Sequence, residues 1–129
     1  MRMTEQQFKN IRRSRQTATA KTGSHGECVL AAQLDMIGIE YEQEYKFHPQ
    51  RKWRADFKIE GYPILIEVEG GTYSNGRHSR GTGFAKDCGK YNAAAKLGYF
   101  VIKGDTNQVK SGELLRDIQD MIEYLRAVA

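Results

Sequence analysis

The run Ile64-Leu65-Ile66-Glu67-Val68-Glu69 places two carboxylates inside a stretch that is otherwise apolar and β-branched. A short apolar run of this kind predicts a strand covered on both faces, and Glu is depleted in strands. Upstream, Ala55, Phe57 and Ile59 alternate with Arg54, Asp56 and Lys58, which predicts a second strand. Glu60-Gly61-Tyr62-Pro63 between them is turn chemistry, so the two strands are expected to form an antiparallel hairpin. With Ile59 opposite Ile64, counting back sets Asp56 opposite Glu67. Directly opposed residues have Cβ atoms about 5 Å apart, and like charges there destabilise. Glu69, two residues on, shares the face of Glu67. Three carboxylates on one face of a largely apolar hairpin call for a compensating cation, and a hard divalent metal with oxygen ligands is the economical one. A solvated sheet face is the plainer explanation for a single Glu; it accounts less well for three.

The 129 residues suffice for one core and are too few for two. No apolar run reaches the roughly 18 residues of a membrane span, and the polar N-terminal stretch lacks a signal-peptide apolar region. The expectation is a cytoplasmic protein with no membrane association. Cys28 and Cys88 show no metal-binding spacing and read as reduced, buried small hydrophobes, which argues against zinc.

The net charge of +4 is unevenly spread. Residues 1–23 carry Arg2, Lys9, Arg12, Arg13, Arg15 and Lys21 against Glu5; residues 46–58 carry Lys46, Arg51, Lys52, Arg54 and Lys58 against Asp56; residues 70–96 carry Arg77, Arg80, Lys86, Lys90 and Lys96 against Asp87. Residues 24–45 and 59–69 are acidic. Basic segments flanking an acidic pocket suit an enzyme that cleaves phosphodiesters, with cations gripping the backbone and carboxylates holding metal. Basic segments also serve solubility, so the pattern is supportive only.

Residues 1–23 lack a clean period and read as a flexible basic lead-in to a single domain over 24–129. Ser24 opens a helix with Val29, Leu30, Leu34 and Ile37 at helical spacing, closed by Gly38. Tyr41 to Phe47 alternates as a strand with Tyr41, Gln43, Tyr45 and Phe47 on one side, and His48-Pro49-Gln50 turns into the hairpin. Gly70 to Gly83, rich in Gly, Ser and Asn, is a loop, and loops this long are more often functional than neutral. A helix over Phe84–Leu97 ends at Gly98, Tyr99–Lys103 is a short buried strand, and Ser111 or Gly112 opens a final amphipathic helix. The expected order is α-β-β-β-α-β-α.

This order, with Asp56 on the second strand and Glu67-Val68-Glu69 on the third, resembles the PD-(D/E)XK nuclease superfamily over residues 24–103 or more. Asp87, Lys90, Ala94 and Gly98-Tyr99-x-Val101-Ile102-Lys103 are similar to its very-short-patch-repair-like branch, and a small chain of this kind resembles phage and prophage enzymes. The resemblance implies a restriction-endonuclease-like α/β fold, with a central mixed four-stranded sheet flanked by helices. It implies a Mg²⁺ ion, with Mn²⁺ as a substitute, held by Asp56, Glu67 and the Val68 backbone carbonyl, with Glu27 of the first helix helping a second ion directly or through water. The family's usual lysine is replaced by Glu69. Either Glu69 acts in its place, the expectation favoured here because Glu69 shares the strand face, or the role has moved to the helix, where Lys90 fits the branch pattern better than Lys86 one turn away.

Other residues carry competing explanations. Ser24-x-x-Glu27 is a capping box, which accounts for Glu27 about as well as a metal role. Arg77 and Arg80 are candidates to clamp a phosphodiester, Lys86 is a further candidate to contact DNA, and Arg12, Arg13 and Arg15 either form a DNA-binding arm or a solvated tail. His25 reads as solvated, and His78 has no identifiable partner. Trp53 and Tyr41, Tyr45, Tyr91 and Tyr99 read as packing groups. The expected function is a Mg²⁺-dependent DNA endonuclease selective for structure (junction, flap or mismatch) and acting as a homodimer. A sequence-specific restriction-type enzyme, a catalytically inactive DNA-binding module and a non-nuclease metal protein are the alternatives.

Overall fold

The computed structural model describes residues 24–70 and 82–129, and side chains from residue 85 in the second segment. The lead-in with Arg12, Arg13 and Arg15, and the loop residues Arg77, His78 and Arg80, lie outside the described residues.

Helix α1 (His25–Met36) starts at a reciprocal cap: the Glu27 N–H donates to Ser24 Oγ at 3.3 Å, and the Ser24 N–H donates to Glu27 Oε2 at 3.1 Å. It ends in a Schellman turn. Gly38 takes φ 78°, and the N–H groups of Gly38 and Ile39 donate to the carbonyls of Asp35 and Leu34. Strands β1 (Tyr41–Lys46), β2 (Arg54–Ile59) and β3 (Ile64–Glu69) form an antiparallel meander, and β4 (Phe100–Asp105) pairs parallel to β3 after helix α2 (Thr82–Lys96). The sheet order is β1-β2-β3-β4. Two helices close the chain, α3 (Thr106–Ser111) and α4 (Glu113–Val128).

The β2–β3 register is the one counted from the turn. Phe57 pairs with Ile66 and Lys58 with Leu65, and the same register sets Asp56 against Glu67. The central strand is buried on both faces from Ile64 through Val68. Ile64, Ile66 and Val68 join Leu30, Leu34, Phe57, Val109 and Ile118 under α1, α3 and α4. Leu65 joins Phe47, Ala55 and Ala94 under α2. The result is a mixed four-stranded sheet between helical layers, the expected α/β architecture.

Three expectations are corrected. A helix, α3, stands between β4 and α4, nucleated by Asp105, whose side chain accepts the Gln108 N–H at 2.8 Å while the Asp105 N–H donates to the Gln108 side chain. The residues from Tyr41 to Phe47 do not stay on one side: Tyr41 packs in the first cluster, Tyr45 and Phe47 in the second. The chain switches faces around Glu44, whose φ of 52° is the left-handed conformation. Cys88 is exposed and Cys28 only partly buried, because Cys88 lies on the outer side of α2, away from the Ala94 contact with the sheet.

Candidate active site

The site forms at the end of the sheet where β3 runs out beside the start of α1. Gly26 is pressed so closely here that a Cβ would sit 2.9 Å from both Val68 Cγ1 and Thr106 Oγ1. That contact fixes the first turn of α1 over β3 and aims the next residue, Glu27, at β2. Glu27, Glu44 and Asp56, from α1, β1 and β2, bring carboxylate oxygens within 4.8 Å of one another. Asp56 is oriented by the backbone: its Oδ2 accepts the Val68 N–H at 2.8 Å. This ties Val68 to the site through its N–H. Glu67 lies outside that group of three but close enough to Asp56 to feel its charge.

Lys90 reaches down from α2 to Glu67, with Nζ 2.6 Å from Oε1. Their side chains are only 19% and 11% exposed, against 42% and 46% for the looser Lys103–Glu69 pair at 3.5 Å. Among the sequence-derived candidates, Glu27, Asp56, Glu67, Lys90 and the Val68 backbone therefore come together. Glu69 stands on the exposed end of β3 beside Lys103, and Lys86 is exposed one turn before Lys90 on α2.

The electrostatics are those of crowded, partly buried carboxylates. Desolvation by burial raises Glu27 from 4.5 to about 7, helped by the nearby Asp56 charge. Burial likewise raises Glu67 to about 7; the hydrogen bond from Lys90 opposes the rise, and Asp56 adds to it. Tyr91 lines the same region, with Lys103 Nζ 4.2 Å from its ring centroid. Its hydroxyl is pushed far up by burial and by Glu67 and Glu69, so it stays protonated.

Glu44 was not legible as a site residue. In Tyr41-Glu42-Gln43-Glu44-Tyr45-Lys46 it reads as an outward charge on an alternating strand, and no Gly or Asn marks a left-handed position there. Its opposition to Asp56, implied by the Gln43↔Phe57 and Tyr45↔Ala55 pairs on either side, was the available signal. Glu27 makes the capping box and also stands in the carboxylate group.

No protein-family model and no curated protein matches the chain. Among solved structures it is similar to the catalytic domain of the homing endonuclease I-Bth0305I, at 22% identity and a TM-score of 0.49, over 81% of this chain and 92% of that one.

Proposed function

We propose that this protein is a metal-dependent DNA endonuclease. The observation that carries the reading is the convergence of Glu27, Glu44 and Asp56 from three separate elements to within 4.8 Å, beside a nearly buried Glu67–Lys90 pair. Carboxylates at such distances, with Glu27 and the adjacent Glu67 pushed up towards neutrality, fit a hard divalent cation such as Mg²⁺ or Mn²⁺, which takes oxygen ligands and relieves their repulsion. Asp56, Glu27 and Glu44 would hold the ion, with Glu67, the further carboxylate of the nuclease pattern, beside Asp56. Such an ion neutralises charge on a phosphoryl group and lowers the pKa of water at neutral pH.

The chain's own groups have distinct parts. Asp56 is preoriented by the Val68 N–H, so one of its oxygens stays directed at the site. Lys90 offsets the Glu67 charge and supplies an ammonium able to bind a phosphodiester oxygen or orient water. Of the two candidates for the family lysine's role, the 2.6 Å contact favours Lys90. Tyr91, kept protonated, adds a donor nearby.

Substrate choice by DNA structure, in a homodimer that presents two such sites, is part of the proposal. The deciding assay incubates the full chain with a supercoiled plasmid, a linear duplex and a four-way junction in Mg²⁺, Mn²⁺ or EDTA. Cleavage of the junction in preference to the duplex, abolished by EDTA and by Asp56→Asn, is expected. Cleavage that survives both EDTA and Asp56→Asn sinks the reading.

A further inference from the structure

The segment joining β1 to β2 builds a second cluster that the carboxylates do not use. His48 Nδ1 accepts backbone N–H groups from both Gln50 and Arg51, at 3.1 and 3.0 Å. A ring nitrogen that accepts carries no proton, so the imidazole proton sits on Nε2, which is left as a donor. The same turn lays the Arg51 guanidinium over the Trp53 ring, 4.3 Å from its centroid. Trp53 is in turn set by Phe47, whose ring lies near-parallel at 6.4 Å, and by the edge of His48 at 5.3 Å. Arg51 and Lys96 make no ion pair among the described residues. With Gly89 and Lys96 of α2 this turn walls an open cavity of about 360 Å³ that, among the described residues, is lined by no acidic side chain.

Gly89 is an independent pointer. It sits inside α2, where glycine weakens a helix relative to alanine. Among the described residues a Cβ there meets no atom within 4 Å, so their packing gives no reason for a glycine. What it faces is the cavity, and a missing side chain lets another molecule's backbone approach a helix closely. The next residue, Lys90, touches Glu67. Trp53 precedes Asp56 by three residues, roughly 10 Å along a strand. The cavity therefore adjoins the carboxylate site.

We infer that this cleft holds a phosphodiester of the substrate strand flanking the one at the carboxylates. Arg51, Lys96 and the His48 Nε2–H donate to its oxygens. Gly89 gives it room against α2, and Trp53 is a positioning residue that fixes the guanidinium by a cation–π contact. The inference rests on the nuclease reading. Two larger cavities among the described residues have the wrong charge for this ligand: Glu40, Glu60 and Glu123 line one of about 510 Å³ beside Arg126, and Asp117 and Asp120 line one of about 540 Å³.

The test is a titration of labelled duplex and junction DNA with the full chain in EDTA, across 50 to 200 mM salt, with cleavage rates measured separately in Mg²⁺. Replacing both cations, Arg51→Gln with Lys96→Gln, should flatten the plot of log affinity against log salt by roughly 0.9, the change expected when one phosphate is no longer neutralised. Gly89→Ala should raise the melting temperature while weakening binding and slowing cleavage, an opposition that a purely structural glycine does not produce. A parent chain that neither binds nor cleaves DNA sinks the nuclease reading itself. A parent that does both, with an unchanged salt slope in the double variant and parental affinity in Gly89→Ala, overturns the cleft alone.

Discussion

Glu44 holds a left-handed backbone, φ 52°, at the point where β1 meets the carboxylate group. That conformation costs a non-glycine residue of order 1–3 kcal/mol, and the side chain it presents adds a charge to an already crowded site. Asn tolerates the left-handed region better and carries no charge. Glu44→Asn should therefore raise the melting temperature of the metal-free protein while weakening divalent-ion affinity in a calorimetric titration; a lower melting temperature would contradict the strain. Glu27 and Glu67 define a pH dependence with a fixed sign. Each is raised in the folded state from 4.5 to about 7, chiefly by burial, so the fold binds these protons more tightly than the unfolded chain does. Their stabilising contribution is complete below pH 4.5 and is lost as pH climbs to about 7. The metal-free protein should lose thermal stability across that window and then level off, Mg²⁺ should restore it above pH 7, and Glu67→Gln should flatten the profile. A flat or rising profile for the parent would show that water reaches these carboxylates more freely than their burial implies. At this scale Asp56 and Glu67 were legible because strand period and turn length fix which side chains oppose. Glu44 was not, because a single left-handed residue leaves no periodic trace.

Which element supplies the cation at the site separates two outcomes that the residues alone left open. β3 offers Glu69 at its exposed end, paired with Lys103 at 3.5 Å, and an exposed pair of this kind is worth at most about 1 kcal/mol. Helix α2 offers Lys90 at 2.6 Å from Glu67. Lys90→Ala should slow cleavage by about 10²-fold or more, the lower range for a positioned acid–base group. Glu69→Gln should cost no more than about fivefold, the equivalent of one exposed pair. Rates in the reverse order would return the role to Glu69. The sequence placed both residues on the right elements, but the reach of Lys90 depends on how α2 packs, and its anchor is Ala94 against Leu65, Phe47 and Ala55, a contact between distant segments. The placement of α1 is likewise tertiary. Gly26→Ala would drive a Cβ into Val68 and Thr106, costing about 1–3 kcal/mol as overpacking does, and would swing Glu27 off Asp56. Reduced stability together with weaker Mg²⁺ binding is the expected pair of results; parental Mg²⁺ affinity would separate Glu27 from the site. Thr106 belongs to α3, whose six residues are too few to show a hydrophobic period. Its only mark in the sequence is the Asp105-x-x-Gln108 capping pattern.

Among the described residues, the basic β1–β2 segment and the acidic stretch around residue 60 lie at different ends of the sheet. The basic β1–β2 segment and α2 flank the carboxylates and share the cleft with Arg51 and Lys96. The acidic residues Glu40, Glu60 and Glu123 gather between the end of α1, the β2–β3 turn and α4. The block pattern was legible, but its meaning required the topology, since the antiparallel meander brings residues 46–58 back towards the α2 side while sending both ends of the 37–60 stretch to the other. A polyanion docked on the carboxylate side leaves the acidic cavity facing away. At physiological salt the Debye length is about 8 Å, so exposed charges further off than that are largely screened. Glu60→Gln with Glu123→Gln should thus leave DNA affinity within about twofold at roughly 0.15 M salt, and any larger gain would place DNA over the acidic side. Asp56→Asn, by contrast, removes a negative charge from the surface that phosphate must approach. It should bind DNA as tightly as the parent or more so while cleavage falls by orders of magnitude, because repulsion drops and the carboxylate group around Glu27 and Glu44 loses a charged member. Weaker binding by Asp56→Asn with its fold intact would mean that DNA does not meet this protein at the carboxylate site.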